Sequence, residues 1–275
     1  MNIQMITKML TDSGIEENEA KKEIDMLLEK FCNYTEKDYI MGTKLTTIQL
    51  EILKSKVELR IKDRTPIQYI IGEAYFMGEY YKVTPDVLIP RDETEILVSK
   101  AINIINDKGL ETVLDIGTGS GCIACTIAKK TNAVVLGVDV SSDALRIALD
   151  NVTKLGINNR AVFRKSDLYE KIRPEEKFDM IVSNPPYIPI GTDLSPEVLH
   201  EPSIALFAEE NGIALYRKII SEAPKFLKSS GWLIFELGIG ESSQVKAYMN
   251  EYFENIKIEK DLAGIDRIIY GQLIS

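Results

Sequence analysis

The chain has 275 residues, 45% of them hydrophobic, with 33 basic against 42 acidic side chains and a net charge of −9. That length allows one large α/β domain with a smaller appendage and excludes a disordered chain, and the acidic balance argues against a protein that grips bare nucleic acid through a basic face. No apolar run reaches the roughly 18 residues of a membrane span, and the amino terminus lacks the basic-then-apolar order of an export signal, so a cytoplasmic protein is expected.

Residues 1–65 read as a helical domain. Ala20, Ile24, Leu27, Leu28 and Phe31 recur at helical spacing, as do Ile48, Ile52, Leu53, Val57 and Ile61. Thr46 followed by Gln49 forms a candidate capping box, and Pro66 closes the second pattern soon after Arg64. Over residues 66–90 the texture turns β-branched and aromatic, punctuated by Gly72, Gly78 and Pro85, which predicts a β-hairpin linker. Residues 91–275 then alternate apolar strands with amphipathic helices. The strands are expected at Thr112–Ile116, Ala133–Val138, Ala161–Arg164, Phe178–Val182 and Trp232–Leu237, a rhythm that predicts a doubly wound parallel sheet. The final pair, Asn255–Glu259 and Arg267–Leu273, has too short a link for a crossover helix and is expected to be antiparallel.

The first of these strands runs into Gly117-Thr118-Gly119-Ser120-Gly121 and then an apolar helix. Ligands bind such sheets at the carboxyl ends of strands, and glycine lets the backbone approach a ligand where a Cβ would obstruct. A dinucleotide fingerprint needs glycine at position 122, which is Cys, so the NAD reading is weak. Asp139 ends the second strand, where a carboxylate can accept from both ribose hydroxyls, and adenosine is the natural inference. Otherwise Asp139 simply caps the helix at Ser141. Together with Asp115, the run Asp-Ile-Gly-Thr-Gly-Ser-Gly resembles the first motif of class I S-adenosylmethionine-dependent methyltransferases, whose cofactor is a sulfonium cation suited to acidic surroundings. Asp167 is a candidate for the adenine amino group, with Leu168 on the ring, although a turn carboxylate reads almost equally well.

The fourth strand delivers Asn184-Pro185-Pro186-Tyr187 to the same sheet edge. Pro186 holds Pro185 extended, and both rings remove N–H donors, leaving the Pro185 carbonyl as a rigid acceptor beside the Asn184 side-chain oxygen. Such a pair can take both hydrogens of a planar NH2 group and aim its nitrogen at the cofactor methyl, with Tyr187 stacked on the plane. Holding both hydrogens favours the pyramidal, nucleophilic form of an amide nitrogen, and no strong base is needed before attack. An Asn-Pro turn that merely closes a strand is the bland alternative, and a second proline and tyrosine beside such a loop disfavour it.

Other motifs read as structure. Cys122 and Cys125 spell CxxC on a helix, with only the remote Cys32 besides, so buried reduced thiols are expected and no metal. His200, the one histidine, reads as a loop residue beside Glu201-Pro202, and Glu209-Glu210 as a solvated helix start.

Over most of residues 60–270 the chain resembles the release-factor glutamine methyltransferase family, the HemK-like enzymes. The resemblance is carried by Arg64-Thr65-Pro66 with Gln68-Tyr69-Ile70-Ile71-Gly72, Phe76-Met77-Gly78, Val87-Leu88-Ile89-Pro90-Arg91 with Glu93-Thr94-Glu95, and Asn184–Tyr187. Glu201-Pro202 with Ala205-Leu206, Glu236-Leu237-Gly238, and Asp261-Leu262-Ala263-Gly264 with Asp266-Arg267 follow in order. Asp92 departs from the family's proline, and Gln244 lies further past Glu236 than the family spacing. The resemblance implies a seven-stranded class I methyltransferase sheet behind a helical, substrate-holding domain. It also implies methylation of the side-chain amide of the glutamine in the Gly-Gly-Gln motif of class I release factors, with S-adenosylhomocysteine as second product. A monomer is the default, and direct nucleic-acid binding is not expected. The rival readings are methylation of an exocyclic amine of RNA or DNA or of another protein, a non-catalytic binding module, and, last, an oxidoreductase.

Overall fold

The computed structural model describes residues 2–275, which divide into two compact units. The first comprises the chain up to Glu73 together with Leu194–His200, and the second Ala74–Asp193 with Glu201–Ser275.

The first unit holds α1 (Ile3–Asp12), α2 (Glu17–Cys32), α3 (Glu36–Met41), α4 (Thr47–Asp63) and the single turn α5 (Ile67–Ile71), and all but α3 contribute to one apolar core. Ile6, Leu10, Ala20, Ile24, Leu27, Leu28, Leu53 and Val57 are buried in it. The Thr46–Gln49 capping box opens α4, with each side chain bonding the other's backbone N–H. One expected core position is not core: Ile48 is 69% exposed, while Arg60, one turn beyond Val57, is 2% exposed. Its guanidinium reaches Glu23 at 3.0 Å and Glu197 at 2.8 Å, and that pairing allows a charge to sit on an apolar face. Phe31 and Ile61 are only partly buried. A depression of about 710 Å³ bordered by Thr7, Lys21, Asp25 and Tyr39 lies in this unit and gathers none of the groups of the sheet edge.

The predicted hairpin is present as β1 (Glu73–Phe76) and β2 (Glu79–Lys82), preceded by the helical turn α5, which was not expected. Tyr81 is fully buried with its hydroxyl 2.7 Å from Thr126, and Lys82 exchanges backbone bonds with the Asn151 side chain. The hairpin is thus docked on the sheet unit.

That unit continues with α6 (Asp92–Lys108), β3 (Thr112–Ile116), α7 (Cys122–Lys130), β4 (Val134–Asp139), α8 (Ser142–Lys154), β5 (Ala161–Lys165) and β6 (Phe178–Ser183). After the short β7 (Ile188–Pro189), α9 (Ser203–Leu206) and β8 (Phe207–Ala208) come α10 (Ala214–Glu222), β9 (Leu227–Glu236), α11 (Ser242–Met249), β10 (Phe253–Lys260) and β11 (Asp266–Leu273). The main sheet has seven strands in the order β10-β11-β9-β6-β3-β4-β5. All its pairs are parallel except those of β11, which runs antiparallel to β9 and β10 as the short final link requires. From β3 the chain builds outward through β4 and β5, then returns to the other side of β3 with β6. Strand order therefore reverses between β3 and β6, and a crevice opens at their carboxyl ends. Asp92 is the first residue of α6, where an acidic side chain suits the helix dipole as proline suits the missing donor.

Candidate active site

Register brings the two sequence motifs side by side. Ile116 of β3 pairs with Ser183 of β6, so Gly117 and Asn184 leave adjacent strands at the same level. The Ser183 hydroxyl bonds the Ile116 carbonyl at 2.7 Å and ties the two ends together.

The glycine loop is stitched to the neighbouring strand. Gly117 and Thr118 donate backbone N–H groups to the Val138 carbonyl, and Gly119 donates to Asp139 Oδ2 at 2.9 Å. Gly117 and Gly119 have φ of 73° and 54°, left-handed values open to glycine without strain. Asp115 is wholly buried beneath the loop. Its Oδ2 accepts from Thr118 at 2.6 Å, and among the described residues its Oδ1 has no hydrogen-bond partner. Burial pushes its carboxyl up to about 7.

A cavity of about 240 Å³ fills the crevice. It is bordered by Gly117, Gly119, Asp139, Asp167, Leu168, Asn184, Pro185 and Pro186 among the residues anticipated from sequence. Thr118, Ser120, Gly121 and Tyr187 do not border it. Thr118 serves Asp115, the Ser120 carbonyl accepts from Asn151, and Gly121 caps α7. The Asp139 carboxylate is already bonded to backbone, with Oδ1 accepting from Ser141 at 2.9 Å. The helix itself is capped by Ser141, whose hydroxyl accepts from the Ala144 N–H at 3.1 Å, so Asp139 is not its cap and still faces the cavity. Burial raises its acid above the ordinary value, and those N–H bonds oppose the rise.

Three residues with no role assigned from sequence complete the site. Glu201, 6% exposed, accepts from the Ile89 N–H at 2.9 Å and from the Arg91 guanidinium, which fixes the segment entering α6. The Asn184 Nδ2 donates to Thr94 Oγ1 at 3.2 Å, and the Thr94 hydroxyl donates to Glu236 Oε2 at 2.6 Å. Tyr187, partly buried against the core, sets its hydroxyl 3.4 Å from Glu236 Oε1. A sequence signal existed for Glu236, an acid closing the apolar run Leu233-Ile234-Phe235. For Thr94 the only signal was its place in the Glu93-Thr94-Glu95 run.

Cys122 and Cys125 are buried free thiols on α7, and His200 ends a short turn whose ring meets the Asp63 carbonyl. Among the described residues no cluster of His, Cys, Asp or Glu is arranged to hold a metal, and no helix is long and apolar enough to cross a membrane.

The model of the methyltransferase small domain family matches residues 93–265. A release factor glutamine methyltransferase of Thermodesulfovibrio yellowstonii is 39% identical over 243 residues, covering 85% of this chain and 85% of its own. Another from Bacillus subtilis is 36% identical over 281 residues, covering 97% and 95%. The crystal structure of a ribosomal protein L11 methylase from Lactobacillus delbrueckii superposes with a TM-score of 0.52 at 22% identity, over 74% of this chain and 89% of that one. The likeness in structure, with the strand order, shows a class I methyltransferase α/β fold.

Proposed function

Because the chain belongs to the release factor glutamine methyltransferase family, we propose that it methylates the side-chain amide nitrogen of the Gly-Gly-Gln glutamine of class I release factors, using S-adenosylmethionine. The observation that carries this reading is one crevice bordered on one side by Gly117, Gly119 and Asp139 and on the other by Asn184 and Pro185.

The residues present fit the cofactor. At Gly117 nothing lies within 4 Å of where a Cβ would project, so bare backbone faces a ligand. Asp139 offers acceptor lone pairs for ribose hydroxyls, and Asp167 and Leu168 an acceptor and an apolar surface for adenine. Asp115, wholly buried beneath the loop, favours a cation above it when ionised, and a bound cation would in turn hold its carboxyl in the ionised form. When bound, the cofactor supplies an electrophilic methyl on sulfonium sulfur, leaving S-adenosylhomocysteine as that carbon–sulfur bond breaks.

Asn184 Oδ1 and the Pro185 carbonyl accept the two hydrogens of the glutamine NH2, with Pro186 holding the turn rigid. Although Tyr187 does not border the cavity, its ring is proposed to support the amide plane where the glutamine passes Pro186. Nitrogen loses conjugation as it attacks, becomes acidic, and releases a proton to water past the same acceptors. An exocyclic base amine presents a similar NH2, but the family membership and the net charge of −9 both disfavour it. The helical unit, with Ile40, Met41 and Ile48 exposed, is proposed to hold the protein substrate. A release-factor substrate implies a cytoplasmic site of action, and a monomer suffices because every group invoked belongs to one chain.

The test is tandem mass spectrometry of a class I release factor after incubation with the protein and S-adenosylmethionine. A methyl increment on the Gly-Gly-Gln glutamine is expected. Asn184→Ala should abolish it while S-adenosylhomocysteine binding persists by calorimetry. Near-normal turnover by that variant would reject the acceptor role of Asn184.

A further inference from the structure

The acceptor role of Asn184 requires its amide to face one way. Flipped, the side chain would present NH2 to the NH2 of the substrate, donor against donor. Hydrogen-bond chemistry decides the orientation. The Thr94 hydroxyl has one proton, and above about pH 7, where Glu236 is ionised, its 2.6 Å bond to Glu236 Oε2 consumes it. Toward Asn184 the same oxygen can only accept, so the group 3.2 Å away must be the Nδ2 donor. Oδ1 is thereby left for the substrate. In the flipped state two acceptors would oppose each other beside a carboxylate, and a buried bond would be lost.

The placement of the carboxylate is costly by itself. Glu236 is 1% exposed at the end of an apolar strand, and burial pushes its acid up to about 7 against the Thr94 bond and the nearby Arg267. Its second oxygen lies 3.4 Å from the Tyr187 hydroxyl, so one buried group reaches both side chains proposed to flank the glutamine amide.

We infer that Thr94 and Glu236 are positioning residues for methyl transfer: the Glu236 carboxylate orients the Thr94 hydroxyl, the hydroxyl locks the Asn184 amide with Oδ1 toward the substrate, and the second carboxylate oxygen steadies Tyr187. This rests on the function proposed above.

The test compares Thr94→Val, Thr94→Ser and Glu236→Gln in the full chain, reading kcat and KM for the release factor, S-adenosylhomocysteine affinity and thermal midpoint. Thr94→Val should lower kcat on the order of ten- to a hundredfold, with KM and cofactor-product affinity within about twofold, because it frees the amide without touching either ligand. Thr94→Ser keeps the hydroxyl and should recover most of kcat. Glu236→Gln is neutral and of the same shape. Its amide can donate to Thr94, which frees the hydroxyl proton to occupy Asn184 Oδ1, so kcat should fall in the same direction even if Thr94→Val proves too unstable to purify. A kcat within about twofold of wild type in either Thr94→Val or Glu236→Gln overturns the relay, and so does a Thr94→Val defect that serine does not recover. Wild-type protein that binds S-adenosylhomocysteine yet leaves the release factor unmodified would instead reject the proposed function, and this inference with it.

Discussion

At Gly212 the backbone adopts φ 97°, and a Cβ built there would collide with the Tyr187 carbonyl oxygen and Glu241 Oε1. The Glu241 side chain is itself held by the Gly238 N–H at 2.9 Å. Neither neighbour is a free side-chain end that can swing aside, so the acceptor motif is backed by close-packed main chain. Gly212→Ala is expected to destabilise by at least about 2 kcal/mol, through strain at a left-handed position and displacement of Tyr187. Thermal unfolding and the release-factor assay would report a lowered midpoint together with reduced turnover; an alanine variant matching wild type in both would contradict this packing. Such a position is invisible in the sequence, where Asn211-Gly212 reads as any turn. Asn184, Pro185 and Pro186, which border the crevice, stand out in the sequence because their chemistry is intrinsic to the residue types, whatever surrounds them.

Among the elements, α4 shows what periodicity captures and what it misses. Its capping box and its buried Leu53 and Val57 follow from local pattern, yet Arg60 occupies the buried face and Ile48 does not. Glu23 on α2 accepts from Arg60 Nε at 3.0 Å, and burial lifts its acid above the ordinary value even so, whereas the arginine is raised by its carboxylate partners. The two shifts point to different charge states for Glu23. The bidentate geometry favours the ionised pair, because guanidinium does not release its proton. Arg60→Ala leaves a buried carboxyl without its partner and should cost about 3–5 kcal/mol, read by denaturant unfolding. A loss below about 1 kcal/mol would mean that water or rearrangement solvates Glu23. Strand β9 shows the reverse failure: it begins at Leu227, earlier than Trp232, because Lys228-Ser229-Ser230 carries no apolar signal and the β6 pairing breaks register between Phe178 and Met180. Helix α5 was hidden by the neighbouring Pro66 and Gly72, which mark a turn whether or not a helical turn separates them.

For the molecule as a whole, three buried carboxyls set an expectation for pH. Burial pushes Asp115, Glu236 and Glu241 each up to about 7, from ordinary values of 3.8 for the aspartate and 4.5 for the glutamates. The unfolded chain gives up these protons first, so their contribution to stability is full below the ordinary values and is lost as pH rises toward 7. On the acid side, the Ile265 and Ala263 N–H groups with Arg267 hold Asp261 below its ordinary value, and Lys260 and Ser242 do so for Asp266. Stability from those two is lost as pH falls through that range. The thermal midpoint of the cofactor-free protein should therefore rise as pH is lowered from about 8 to about 5 and fall again below about 4, measured by calorimetry. A midpoint flat from about 5 to 8 would show that the three acids are not protonated in the folded chain. The sequence by itself determined the alternation of strands and helices, the glycine loop after the first strand of the sheet and the Asn184–Tyr187 segment after the fourth, because periodicity and backbone chemistry are properties of neighbouring residues. Only the tertiary structure decided that β6 lies beside β3, that Glu201 clamps Ile89 and Arg91, and that Thr94 and Glu236 stand behind Asn184. Those partners lie far apart along the chain, and the register between strands, which no local pattern encodes, is what brings their polar atoms within bonding distance.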